Sequence, residues 1–208
     1  MTMEATHQKE ENATTVMLKV GPFPSPNSQY YPRSSDDGKT IVVDWDEKGR
    51  TKIAQMFISY DNNYKISLSF QYIEDGQLIL SPIFGSQYLD GHNFDTVTFM
   101  EGGDSEYITR VSGHHGRRDQ RGRGLMSLTI ETNKAAYGPF GSDSKHVDKF
   151  SFSLGRGDQF GGFHGSSSSD IVTSIGVYLK PIQNTVTLVK RTHLPIESVW
   201  VQFSPNWA

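Results

Sequence analysis

The 208-residue sequence contains no cysteine. This absence excludes disulfide scaffolds, thiolate zinc sites, iron–sulfur clusters and cysteine nucleophiles, and it gives no sign of an oxidising compartment. An excess of charge of one sign is also lacking, because 20 Lys and Arg nearly balance 23 Asp and Glu. We therefore expect no general attraction to nucleic acid or to an anionic membrane surface.

Long apolar runs are missing as well. No stretch approaches the roughly 18–20 apolar residues that a membrane-spanning helix needs. Residues 1–17 are polar and lack the apolar centre of a signal peptide, and we expect them to form a flexible tail. These features predict one soluble domain in the cytoplasm, or shared between nucleus and cytoplasm, with no cofactor, nucleic-acid or membrane partner.

Where apolar residues do occur, they recur with a period of two. One run places five apolar side chains on the same face of a predicted strand: Tyr64, Ile66, Leu68, Phe70 and Tyr72. Asp61-Asn-Asn63 has the composition of the turn between this strand and a strand over 52–60. No window shows capped helical spacing, so the pattern predicts an all-β fold.

Strands are predicted at ten places, namely 40–45, 52–60, 64–72, 77–80, 94–100, 107–112, 125–132, 149–154, 160–164 and 171–179. A weak repeat links three of them: Ser-Leu-Ser-Phe at 67–70 recurs as Ser-Leu-Thr-Ile at 127–130 and as Ser-Ile-Gly-Val at 174–177. Matches this short also arise by chance, but three copies suit three similar antiparallel sheets around one core.

A C-terminal extension follows Lys180-Pro181 and covers residues 182–208. It contains two strand-like runs, at 185–189 and 198–203, and the second alternates Val199, Val201 and Phe203 with Trp200 and Gln202. Exposed apolar segments of this kind are costly unless they pack on something. We predict that the extension is partly ordered and that it influences oligomeric state or the choice of partner.

Several motifs resemble those of jacalin-related plant lectins, in the same order along the chain. They include Val20-Gly-Pro22, Asp36-Asp-Gly38, Tyr137-Gly-Pro-Phe-Gly141, Gly161-Gly-Phe-His-Gly165 and the segment from Ile175 to Pro181. The resemblance covers residues 18–181, which we take as the lectin domain. It implies a β-prism of three four-stranded antiparallel sheets with pseudo-threefold symmetry. It also implies sugar binding at the apex of the prism and a homo-oligomer.

The resemblance implies a sugar site made from two loops. The family uses a Gly-x-x-x-Asp loop before the last strand and a Gly-Gly loop near the N-terminus, because a carboxylate accepts two sugar hydroxyls and glycine allows close backbone approach. Here Thr173 occupies the aspartate position, Asp170 lies three residues earlier, and no Gly-Gly pair precedes Asp36. The candidate carbohydrate-binding residues of this degenerate site are Gly21, Ser169, Asp170, Ile171 and Thr173.

Two functions remain open. Val43-Asp-Trp-Asp46 and Gln55-Met-Phe-Ile-Ser59 are similar to a branch of the family that restricts long-distance movement of potyviruses in plants. One interpretation is weak or altered binding of mannose- or glucose-type carbohydrate with a role in plant defence. The other is a sugar-independent protein-interaction factor that restricts virus movement.

Other polar clusters fit structural roles better than chemical ones. His114-His115 lacks further ligands at metal-site spacing, so we predict a polar surface loop and no metal site. The same segment contains four arginines but no aromatic residue on which bases could stack, which favours a solvated hairpin loop: Arg117, Arg118, Arg121 and Arg123. Motifs of hydrolases, zinc proteases and phosphate loops are absent, so we predict no enzyme.

Overall fold

The computed structural model describes residues 16–29, 41–48, 52–61, 65–87, 93–99, 106–118, 122–142, 147–154 and 157–181. These residues form twelve strands and contain no helix that could cross a membrane. The strands are β1 Leu18–Phe23, β2 Val43–Lys48, β3 Lys52–Tyr60, β4 Ile66–Glu74, β5 Gln77–Leu80, β6 Asn93–Thr98, β7 Ile108–Arg118, β8 Gly122–Thr132, β9 Ala136–Gly141, β10 Val147–Ser153, β11 Phe160–Ser167 and β12 Val172–Leu179. The predicted all-β class is confirmed.

The strands form three four-stranded antiparallel sheets. Sheet I has the order β1-β12-β11-β2, sheet II the order β5-β4-β3-β6, and sheet III the order β10-β7-β8-β9. In each sheet a hairpin supplies the two inner strands. The outer strands of sheets II and III follow their hairpins along the chain, whereas the outer strands of sheet I, β1 and β2, come from the N-terminal part. This arrangement is the predicted β-prism.

The short sequence repeat marks equivalent strands of the three sheets, because its copies lie on β4, β8 and β12. The second residue of each copy is almost completely buried and has an aromatic residue as its partner on the neighbouring chain segment, in the pairs Leu68 and Phe84, Leu128 and Phe140, and Ile175 and Phe23. Each sheet therefore contributes the same kind of contact to one central core.

Strand β4 shows why alternation produces this core. Ile66, Leu68, Phe70 and Tyr72 all point inward and are no more than 1% exposed, as the period of two predicts. Tyr64 lies outside the described residues. Phe70 stacks on Phe163 of sheet I, with ring centroids 4.6 Å apart, so the core is continuous between sheets.

Two strands, β1 and β9, are absent from the sequence-based prediction. Both contain a Gly-Pro pair, at Gly21-Pro22 and Gly138-Pro139, which interrupts the alternation of apolar residues. Proline has no N–H to donate to a neighbouring strand, so strands that contain it are favoured at sheet edges. Both strands do lie at the edges of their sheets.

The prediction of a polar surface loop at His114-His115 is wrong for His115. Strand β7 continues through Arg118, and β8 begins at Gly122, so Arg117, Arg118 and Arg123 lie on strands rather than in the predicted loop. Strand β7 pairs with β8 on one side and β10 on the other. This inner position buries His115, which is 1% exposed.

Candidate functional site

Two connections emerge together at one end of sheet I, which we call the apex. Phe23 at the end of β1 pairs with Ile175 near the start of β12. Ser167 at the end of β11 pairs with Val43, the first residue of β2. The β11–β12 loop, residues 168–171, therefore lies close to both ends of the β1–β2 connection. Asp36, which belongs to that connection, is outside the described residues.

The β11–β12 loop is a tight turn held by its own backbone. The Ser168 N–H donates to the carbonyl of Ile171 at 2.9 Å, and the Asp170 N–H approaches the Ser168 hydroxyl at 3.3 Å. Ser169 and Asp170 are exposed at the tip. Among the described residues, none donates a hydrogen bond to the Asp170 carboxylate. Its oxygens are thus available to hydroxyl groups of a ligand.

Ile171 and Thr173 lie beneath the tip of the loop. Ile171 is 2% exposed and packs over Gly124 of sheet III. Thr173 belongs to β12 and is also buried, and its hydroxyl oxygen is 2.8 Å from the hydroxyl oxygen of Ser166. That hydrogen bond and the burial together direct the Thr173 hydroxyl away from solvent. These two side chains support the loop from below.

Gly21 is not brought to the loop. It is an exposed residue of β1 with a φ of 84°, and its backbone passes close to the Cα atom of Gly176. Gly176 lies five residues beyond Ile171 along the chain, a distance of about 16 Å in a strand. Of the predicted site residues, only Ser169 and Asp170 therefore share one exposed surface.

His115 connects the apex to sheet III, a role that sequence reasoning missed. Its Nε2–H donates to the Thr173 carbonyl at 3.0 Å, and its ring packs edge-on against Phe23 with centroids 6.0 Å apart. Burial lowers the pKa of His115 to about 4, an effect opposed by the hydrogen bond to Thr173 and reinforced by the Arg123 charge. The imidazole is therefore neutral near pH 7 and holds the start of β12 in place.

A polar groove of about 340 Å³ lies beside the apex on the outer face of sheet I. The hydroxyl of Tyr178 donates to the Asp46 carboxylate at 2.7 Å, and the Lys19 ammonium lies 3.6 Å from the same carboxylate. Burial, followed by the nearby Lys19 charge, lowers the pKa of His164, which also lines the groove. These groups neutralise one another, which suits a structural cluster. No sequence motif had indicated it.

Comparison with known proteins agrees with this architecture. Residues 37–178 match the model of the jacalin-like lectin domain. The chain belongs to the jacalin-like lectin family. This lectin chain is 38% identical over 165 residues to Protein RESTRICTED TEV MOVEMENT 1 of Arabidopsis thaliana, covering 79% of this chain and 87% of that protein. It is 34% identical over 183 residues to Jacalin-related lectin 2 of the same plant, covering 84% and 90% of the two chains.

Solved structures of the family show the same prism. The lectin chain matches AcmJRL, described as a mannose binding jacalin related lectin from Ananas comosus, with a TM-score of 0.59 and 27% identity. The match covers 79% of this chain and 98% of that one. A jacalin structure in complex with mellibiose matches with a TM-score of 0.57 and 27% identity, over 66% and 98% of the two chains. The resemblance inferred from the sequence motifs is confirmed.

Proposed function

We propose that the protein is a non-catalytic lectin of plant defence that binds mannose- or glucose-type carbohydrate weakly at the apex. The supporting observation is the Asp170 carboxylate, which is exposed, held on a tight turn and free of hydrogen bonds from the described residues. One ionised carboxylate can accept hydrogen bonds from two vicinal sugar hydroxyls. AcmJRL, one of the structural relatives, is described as mannose binding.

The five predicted site residues take different roles in this proposal. Asp170 accepts hydrogen bonds from the sugar, and the Ser169 hydroxyl adds a donor or acceptor beside it. Ile171 and Thr173 hold the loop from below, because both are buried. Gly21 permits the path of β1 rather than contact with the ligand, since its φ of 84° favours glycine.

Weak affinity follows from the number of available charged contacts. A hydrogen bond to a charged group contributes about 1.5–3 kcal/mol, and the described part of the apex offers one such group. The family's Gly-Gly approach is missing from the sequence before Asp36. We expect millimolar rather than micromolar binding of a monosaccharide, which corresponds to about 4 kcal/mol of binding free energy.

A second function rests on a different observation. The chain shares 38% identity with a protein named for restricting TEV movement, and Thr173, at the family's aspartate position, is buried and hydrogen-bonded. A protein-interaction factor with a degenerate sugar site would have both features. In this alternative, defence depends on a protein partner, and sugars have no effect.

A glycan array and mannose-agarose retention distinguish the two. We expect weak retention of the full chain that free mannose reverses, with loss of retention in Asp170→Asn. Asp75→Asn is the matched control, because Asp75 is also exposed but lies in the β4–β5 turn. Retention that survives Asp170→Asn would rule out Asp170 as the ligand group. If the full chain binds no glycan, the protein-interaction function stands instead.

Location and assembly are also part of the proposal. We infer action in the cytoplasm, or in nucleus and cytoplasm, because a chain without cysteine gains nothing from an oxidising compartment. We also infer a homo-oligomer, as the family resemblance implies. Fractionation of plant cells that express the tagged full chain tests the first inference, and light scattering across a range of concentrations tests the second.

A further inference from the structure

An apolar groove of about 320 Å³ crosses the outer face of sheet II. Its floor is made of small side chains on β3 and β4, namely Ser59, Ser67 and Ser69. One wall is formed by Phe57 stacked on Phe94, with ring centroids 6.3 Å apart. The opposite wall is formed by Leu80 and Ile83. The groove therefore lies between two apolar ridges.

The walls of this groove are unusually open to solvent for side chains of their size. Phe94 is 58% exposed, Leu80 62% and Ile83 40%. The residues that line the groove include no charged side chain. On the floor, the Ser67 hydroxyl is buried and has no hydrogen-bond partner among the described residues. Clustered apolar exposure of this kind marks an interaction surface.

We propose that residues 198–203, in the C-terminal extension, lie in the apolar groove as an extended segment. Val199, Val201 and Phe203 then face the serine floor, and Trp200 and Gln202 face outward. The extension lies beyond the part of the chain that matches the family domain, which ends at residue 178. The proposed occupant therefore lies outside the family domain.

The charge and the spacing of this segment fit the groove. Residues 198–203 read Ser-Val-Trp-Val-Gln-Phe and contain no charge, like the lining of the groove. Alternate residues of an extended chain lie about 6.6 Å apart, so the spacing of Val199 and Val201 equals that of Ser67 and Ser69. Docking would remove the three apolar side chains and the apolar walls of the groove from water, which favours the docked state.

The chain can reach the groove from its last described residues. Lys180 lines a small cavity together with Lys52 and Ile53, so the extension starts where β3 begins. Phe57 lies five residues further along β3, about 17 Å away. The roughly 17 residues between Pro181 and residue 198 span up to about 55 Å when extended. The first apolar run, at 185–189, is also within reach, but one face of it carries only two apolar residues, Val186 and Leu188, against three in the second run.

The absence of cysteine makes a disulfide-trapping test direct. The full chain with Leu80→Cys and Val201→Cys is oxidised mildly at low concentration, and the products are resolved by mass spectrometry. Val43→Cys with Val201→Cys is the matched control, because Val43 is 59% exposed but lies on β2 of sheet I. We expect the Leu80 pair to close within one chain at least about tenfold faster than the control, since docking raises the effective concentration.

The other outcomes of this experiment contradict the proposal in distinguishable ways. Equal closure of the two pairs would show that the segment has no preferred surface. Disulfide-linked dimers that increase with protein concentration, in place of closed monomers, would assign the groove to a second copy of the chain. Failure of the Leu80 pair to close, with both cysteines reactive to a small alkylating reagent, would leave the groove to a separate partner protein.

A second measurement avoids cysteines altogether. In the full chain, Val199→Ser combined with Phe203→Ser should accelerate hydrogen exchange at Leu80 and Phe84, next to the groove, by about tenfold, because a lost segment exposes the backbone that it covered. Trp200→Ser is the control on the opposite face of the segment and should leave these rates unchanged. Unchanged exchange in the double variant would overturn the proposal.

Discussion

At the scale of single residues, buried polar groups hold the apex together. His115 reaches from sheet III to the Thr173 carbonyl, and the Ser166 hydroxyl lies within 2.8 Å of both the Thr173 and the Ser174 hydroxyl. None of these contacts follows from local sequence, because each joins strands that only the folded sheets bring together. The exposure of Asp170 was predictable from the loop, whereas the burial of Thr173 depends on where β12 begins.

His115 makes stability depend on pH in a defined direction. Its pKa is about 4 in the folded protein against an ordinary value of 6.5, so the unfolded chain binds a proton that the folded chain does not. The contribution of His115 to the free energy of unfolding should be fully present above pH 6.5. It should fall by roughly 3 kcal/mol as the pH decreases to about 4. The lowered pKa of His164 adds a change of the same sign.

Urea unfolding at pH 7, 5 and 4 measures this dependence. His115→Gln keeps a donor for the Thr173 carbonyl but cannot titrate, so its stability should fall less with acid than that of the parent. His114 is only partly buried, and its ring contacts the Ser127 hydroxyl. His114→Gln is therefore the control and should keep the parent's pH dependence. Equal acid sensitivity in all three proteins would refute the role of His115.

A second residue-scale prediction concerns the core. Leu68 is 1% exposed and pairs with Phe84, so Leu68→Ala should cost about 2–5 kcal/mol by leaving a cavity. Leu78→Ala is the matched control, because Leu78 is 61% exposed on β5 and should change stability by no more than about 0.5 kcal/mol. Chemical denaturation of both variants gives the comparison, and similar costs would contradict the inward orientation of Leu68.

At the scale of elements, alternation in the sequence identified ten of the twelve strands. The bounds predicted for Lys52–Tyr60 and Gln77–Leu80 are those of the structure. The missed strands do share a signal, since Val20-Gly-Pro-Phe23 and Tyr137-Gly-Pro-Phe140 have the same order of residue types. The pairing of β1 with β12 is a long-range property, which a local period of two cannot indicate. Strand β9 pairs with β8 across a short turn, and it was missed because its Gly-Pro pair interrupts the alternation.

The attachment of β1 to sheet I depends on Gly176. The His164 ring lies over Gly176, where a Cβ atom would collide with the ring and would lie 2.7 Å from the Val20 carbonyl oxygen. Gly176→Ala should therefore loosen β1 from β12 and accelerate hydrogen exchange at Lys19 and Val20. Thr96→Ala, at an exposed position on β6, is the control. Protected β1 amides in Gly176→Ala would show that the sheet absorbs the extra methyl group.

At the scale of the whole molecule, the chain closes on itself through sheet I. Leu18 at the start of β1 pairs with Leu179 at the end of β12. Residues 17 and 181 are therefore neighbours, and a short linker could join them. A permutant joined there and opened between Asp75 and Gly76, both exposed in a turn, should fold with the β-sheet circular dichroism spectrum of the parent.

A permutant opened between Ser112 and Gly113 provides the contrast. This position lies within β7, an inner strand that is paired on both sides, so we expect that permutant not to fold. Circular dichroism and size-exclusion chromatography compare the two proteins. Failure of the permutant opened at Asp75-Gly76 would contradict the closeness of residues 17 and 181, and folding of both would show that β7 tolerates a break.

The pairing of Leu18 with Leu179 also places both ends of the prism at one pole, away from the β11–β12 loop. Strand β12 runs from the β11–β12 loop at one pole to Leu179 at the other, a span of about 25 Å. Residues 17 and 181 therefore lie at the pole opposite the loop. A fusion partner, a tether or a docked protein attached through either tail would thus leave the loop unobstructed. The glycan binding proposed at the apex is thus compatible with attachment of the protein to an assembly at the opposite pole.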